Sequence, residues 1–265
     1  MRLVRRVAIV AVGGFALWIV ALAILGAVVG GREQHKTSER LAKSLQAKVT
    51  IGASDLALIR GRLTLDNLAI RRDESVGHLW IDVGNVRCEL APLGGALFDH
   101  DCRELTVRGV KVEVSTAALF KLPPPAKTKP IHTDRLVIDD AHFVFLPSAI
   151  APSLGRIEIA IDHAVAGATT LRTPLSWLFA LEVLEAHFAL PAGITLQLSY
   201  RLGLLTVAGS VFGSSPVTLP VTLPAANLAH DAHEEMQLLV GVGKDVAERL
   251  VAQRATDWLR SKLTR

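Results

Sequence analysis

The chain reads as a mainly β protein, with an N-terminal transmembrane helix, an elongated and curled antiparallel sheet shaped like a groove, and a C-terminal amphipathic helix. Three observations lead there. An uncharged run opens the chain, segments of period-two alternation fill its middle, and a helical spacing of apolar residues closes it. The expected parts are a tail and anchor over 1–31, a short linking helix over 32–48, a β-rich body over 49–224 and a helical segment over 225–265.

The run "VAIVAVGGFALWIVALAILGAVV", Val7 to Val29, carries no charge, and its 23 residues reach about 34 Å as a helix, enough to cross a bilayer core. A cleaved signal peptide is the alternative, given the basic "MRLVRR" before it, but a cleavable apolar stretch is usually shorter. Arg2, Arg5 and Arg6 precede the span while Arg32, Lys36, Arg40, Lys43 and Lys48 follow it. The positive-inside rule does not decide between these flanks, and the expectation is a body outside the inner membrane, in the periplasm. After the span, Leu41 and Leu45 at i, i+4 with Thr37 or Ser38 as caps predict the short linking helix.

The body alternates with a recurring slip. In "LTLDNLAI", Leu63 and Leu65 are followed on the other parity by Leu68 and Ile70. "HLWIDVGNVRCEL" does the same about Gly84 and Asn85. In "LTVRGVKVEV", Leu105 and Val107 give way to Val110, Val112 and Val114, and in "RLVIDDAHFVF", Leu136 and Ile138 give way to Ala141, Phe143 and Phe145. A one-residue change of phase sends later side chains to the opposite face unless a kink restores them. Gly, Asn and Asp tolerate the backbone such a kink needs, and they stand at the slips. Each unit therefore reads as strand, kink, strand, with both halves turning apolar residues to one side. The alternative is a sandwich in which "LDNL" and "IDDA" are two-residue hairpins.

Further strands read over Arg156–Asp162, Ala186–Leu190, Ile194–Tyr200 and Leu204–Val211. "KLPPPAKTKP" cannot sit in a ladder. "TPLSWLFALEVLEAHF" is too apolar for a solvent loop and predicts a short helix or wedge, with Trp177, set against the sheet. Pro216, Pro220 and Pro224 mark an edge strand. In "DVAERLVAQRATDWLRSKL", Val246, Leu250, Val251, Trp258 and Leu259 fall near one helical face and Arg249, Arg254, Arg260 and Lys262 on the other, suited either to packing on the sheet or to an anionic leaflet.

Composition narrows the function. Half the residues are hydrophobic, and 29 Lys and Arg against 25 Asp and Glu leave a net charge of +4. The basic residues are scattered, without the stripe a nucleic-acid surface requires. "GVGKD", Gly241 to Asp245, lacks the first glycine and the Ser or Thr of a phosphate loop, and no G-x-S-x-G elbow exists. Asp139 and Asp140 suit a turn better than acid–base work. His230 and His233, with Glu234, lack further ligands for a metal. No catalytic residue, metal or cofactor is expected. Cys88 and Cys102 are either a disulfide closing "ELAPLGGALFDHD" or two buried thiols.

The unit from Gly61 to Ile70 matches G-x-L-x-L-x-x-L-x-I, and that from Leu105 to Val114 matches L-x-V-x-G-x-x-V-x-V. With the basic-capped span ahead of them, these resemble the AsmA-like family of Gram-negative envelope proteins, over roughly Val7 to Leu146. The resemblance implies an inner-membrane anchor, a periplasmic body and a curled sheet that handles phospholipid. The chain is shorter than the large members, and the region from Thr173 onward has no counterpart in the pattern. The residues expected to face an acyl-chain trough are Leu63, Leu65, Leu68, Ile70, Val110, Val112, Val114, Phe143 and Phe145, with ordinary core packing as the alternative. Expected partners are phospholipid or another acyl-chain ligand, the inner membrane, and other envelope proteins or a second copy by edge pairing. A structural tether or assembly factor is the alternative function.

Overall fold

A computed structural model describes residues 39, 42, 47–57, 60–72, 77–90, 102–115, 131–147, 155–171, 176–210, 216–225 and 232–263. The span Val7–Val29, most of the linking helix, the Pro-rich run Lys121–Pro130 and His230 lie outside these residues. Among the described residues, no helix is long and apolar enough to cross a membrane.

Eleven described strands share one sheet: β1 (Lys48–Ala57), β2 (Arg62–Arg72), β3 (Leu79–Glu89), β4 (Cys102–Ser115), β5 (Ile131–Leu146), β6 (Ile157–Ala166), β7 (Thr169–Leu171), β8 (Leu181–Leu190), β9 (Ile194–Arg201), β10 (Leu204–Gly209) and β11 (Val217–Pro220). Their spatial order follows the chain from β1 to β6, then β8 to β11. β7 takes up the first residues of β5, pairing Ile131 to Thr133. β1 and β11 stand at opposite ends of this order, so the sheet curls without closing. The sandwich alternative falls, because all the strands belong to one sheet and each slip lies inside an unbroken strand.

One pairing departs from the expected antiparallel pattern. β4 and β5 run parallel, from Cys102↔Thr133 to Ser115↔Leu146, and the sheet is mixed. The connection over 116–130 is long enough for the crossover that a parallel pair needs, where a hairpin would force the strands antiparallel.

The slips in the sequence form one feature of the fold. Flanking pairs place Gly52 opposite Asn67, Asn67 opposite Gly84, Gly84 opposite Gly109, Gly109 opposite Asp140 and Asp140 opposite Asp162. These six residues make a transverse crease across six strands. Asn67 (φ 54°), Gly109 (φ 65°) and Asp140 (φ 55°) are left-handed there, a conformation that Gly, Asn and Asp adopt most readily. Each antiparallel pair sets one left-handed residue against an ordinary one, while the parallel pair β4/β5 sets two together. Gly84 is needed for a second reason: a Cβ there would come within 3.2 Å of the Arg108 carbonyl oxygen. The crease stops at β8, where Asp162 has no counterpart and β6 bulges between Ile161 and His163.

Two further elements pack on the sheet. A 3-10 turn, Ser176–Ala180, meets β6 and β7, and helix α1 (Ala232–Leu263) meets β11, where Arg249 Nη1 donates to the Pro220 carbonyl at 3.4 Å. α1 joins both segments of the expected C-terminal helix. Its apolar face is narrower than expected: Val242, Val246 and Leu250 are half-buried along one line, whereas Val251 is 71% exposed. Val251 lies about 100° around the axis from Leu250, off the line of Val242, Val246 and Leu250.

Candidate functional site

Cross-strand partners share a face, so the register assigns every side chain. On one side of the crease, the apolar face carries Leu63 and Leu65 of β2, Val86 and Cys88 of β3, Leu105 and Val107 of β4, Leu136 and Ile138 of β5, and Ala164 and Ala166 of β6. On the other side it carries Leu68 and Ile70, then Val83, Ile81 and Leu79, then Val110, Val112 and Val114, then Ala141, Phe143 and Phe145, and last Ile161, Ile159 and Ile157. The two sets belong to one face, because Val107 and Ile161, from opposite sides of the crease, pack on the same cluster. All nine residues expected to line a trough therefore lie on one apolar face. Ile70 and Val114 are buried; the other seven are half-buried.

The two sides of that face differ in cover. On the first, Trp177 forms one buried cluster with Leu136, Ala164 and Ala166, and Leu105, Val107, Ile138, Ile161, Leu178 and Leu184 pack against that cluster. The alanines are 1% exposed, and their small side chains leave room for the indole. Trp177 and Phe179 are both buried by this wedge. On the far side, the residues packed about Leu79 and Val114 are the sheet's own Ile81, Val112 and Phe145. Arg72, opposite Leu79, ends the far side with a buried guanidinium on the apolar face.

Cys88 and Cys102 are joined in a disulfide with Cα atoms 5.4 Å apart, tying β3 to β4 on the wedge side. Of the sequence alternatives, the crosslink is what the fold builds.

The opposite face is polar and laced across strands. Beside the crease, Asn85 Nδ2 donates to Asp66 Oδ1 at 2.6 Å, Arg108 Nε donates to Asp139 Oδ2 at 3.1 Å, and His163 Nδ1 lies 2.7 Å from Asp139 Oδ1. Burial opposes ionisation of Asp139, yet the bonds from His163 and Arg108 outweigh it and hold the carboxyl below its ordinary value. Asp139 is thus a ladder residue on the polar face and Asp140 a crease residue. Toward the margin, Arg71 bonds Asp82 at 2.5 Å and lies 5.4 Å over the half-exposed ring of Trp80, which also meets His78.

An open concavity of about 420 Å³ lies on this polar face, lined by His142, Glu158, His187, Thr195 and Gln197 around Ala160. Each imidazole has its own carboxylate: His142 Nε2 is 3.8 Å from Glu158, and His187 Nε2 is 2.7 Å from Asp162. Among the described residues, no group of three His, Cys, Asp or Glu is placed to hold a metal. Sequence reasoning missed these histidine pairs, whose partners meet only through cross-strand register. No protein-family model and no curated protein matches the chain.

Proposed function

We propose that this is an inner-membrane-anchored protein with a periplasmic body, which binds phospholipid acyl chains on its apolar sheet face and passes them on by binding rather than by chemistry. The observation that carries the reading is the sheet whose apolar face continues across the crease, so that about three rows of Val, Ile, Leu and Phe lie on its far side with no described element laid over them. An apolar sheet face of this extent is ordinarily covered, and an apolar ligand is one way to cover it. The uncharged Val7–Val29 run supports the anchor, the disulfide supports an oxidising compartment, and the likeness of Gly61–Ile70 and Leu105–Val114 to AsmA-like units supports the envelope setting.

A second reading, a structural tether whose sheet face is filled by its own side chains, is favoured by the Trp177 wedge, which does fill part of that face. Native mass spectrometry of the full chain, purified mildly from the envelope, separates the two. Stoichiometric phospholipid that is lost in folded Val112→Asp or Phe143→Asp supports lipid handling. A folded chain without lipid puts the tether first.

A further inference from the structure

The turn between β9 and β10 is built against the usual preference. Leu202 and Gly203 hold its two central positions at φ 50° and 80°, where a left-handed pair ordinarily calls for Asn followed by Gly. A bulky Leu is kept in that region only at a cost. Burial does not offset it, because Leu202 is 88% exposed. The turn is nonetheless well supported: Val221 N–H donates to the Gly203 carbonyl at 2.7 Å, and the Gly203 backbone bonds the buried Tyr200 side chain. Leu202 is therefore presented outward on a fixed base, flanked by the cross-strand pair of Arg201, exposed, and Leu204, 51% exposed.

Cations gather beside this tip. Leu204 also pairs with Pro220, whose carbonyl accepts the bond from Arg249 of α1. From Arg249 to Arg265 the sequence holds five Lys and Arg and one Asp, whereas every other acidic residue of α1 precedes Arg249. Protruding aliphatic side chains beside an excess of cations suit an anionic membrane surface, which takes the first at its acyl boundary and the second at its phosphates. An acidic protein surface would match the cations but set Leu202 against polar groups.

We infer that the β9–β10 turn and the basic end of α1 form a docking corner for an anionic lipid surface, with Leu202 as the inserted side chain. This contact is separate from acyl-chain binding on the apolar sheet face, and neither depends on the other.

The test holds the full chain in nanodiscs of neutral phosphatidylcholine and measures its binding to phosphatidylcholine vesicles with and without phosphatidylglycerol. Binding should require the anionic lipid. Leu202→Asn should weaken it about tenfold while Tm rises, because Asn takes the left-handed backbone more readily. A purely structural Leu202 would leave vesicle binding where it was. Arg254→Gln combined with Arg260→Gln should weaken binding by about fivefold for each charge removed. Equal binding to neutral vesicles, unchanged affinity in Leu202→Asn, or no loss in the double Arg variant overturns the inference. Binding of soluble polyglutamate by a folded chain that ignores the vesicles also overturns it, and assigns the corner to an acidic protein.

Discussion

The two sides of the crease carry the same face of the same strands, yet they are built differently. On the wedge side, Ala164 and Ala166 yield space and one tryptophan fills it; on the far side, bulky Val, Ile and Phe residues stand beside one another with no described element laid over them. The contrast teaches that one sheet need not treat its apolar face uniformly. A few small residues under an inserted turn make ordinary core, and the same face only a few residues away is left to larger side chains.

Truncating each side in turn should expose this difference most strongly. Trp177→Ala should cost about 3–5 kcal/mol, because the indole lies over residues that cannot collapse into its space. Val112→Ala should cost less than about 2 kcal/mol, since Val112 is only half-buried. Chemical denaturation of both variants checks the ratio, and equal losses would erase the distinction.

The disulfide belongs to the wedge side and should add to its rigidity. Cys88→Ser should lower stability by about 3 kcal/mol, the scale expected for closing a loop of this length. Amide hydrogen exchange should show faster opening of β3 and β4 near Cys88 than near Val112.

The crease joining the two sides can be broken at one residue. Gly109→Ala should cost about 1–2 kcal/mol through its left-handed backbone, with little volume change, whereas Asp140→Gly should keep or raise stability because glycine removes that strain. Paired thermal melts of the two variants check the opposite signs.

The smallest effect concerns the ladder beside the crease. Asp139 has a lowered carboxyl pKa in the folded chain, so its stabilising contribution is present above the unfolded value near 3.8 and is lost as pH falls through the folded value. Between pH 5 and pH 2 the wild type should lose slightly more stability than Asp139→Asn. The side chain is partly exposed, which keeps the difference small.

How much of this was legible in the sequence follows from the range of the forces involved. The slips were legible because period two is local and because Asn67, Gly84, Gly109 and Asp140 tolerate unusual backbone. Their alignment into one crease was not, since it depends on the distance of each slip from the adjoining turns. The direction of β5 was hidden because parallel and antiparallel strands alternate alike. Trp177 was readable as a wedge from the apolar run after Pro174, but its seat on Ala164 and Ala166 depends on the register of β6. Val251 was misplaced because spacing along a helix fixes angles around its axis and leaves open how wide a stripe is covered. The His163–Asp139 pair joins residues 24 apart and becomes visible only once β5 and β6 are paired.

The aligned crease also sets how this protein tolerates changes of length. Deleting one residue between a turn and the crease in β2, β4 or β5 would pull the left-handed position out of line with its neighbours and reverse the facing of the remainder of that strand. Insertions and deletions should therefore be accepted in the connections and refused within the strands. In this chain the count of residues between turn and kink is as much a structural constraint as the identity of the residue at the kink.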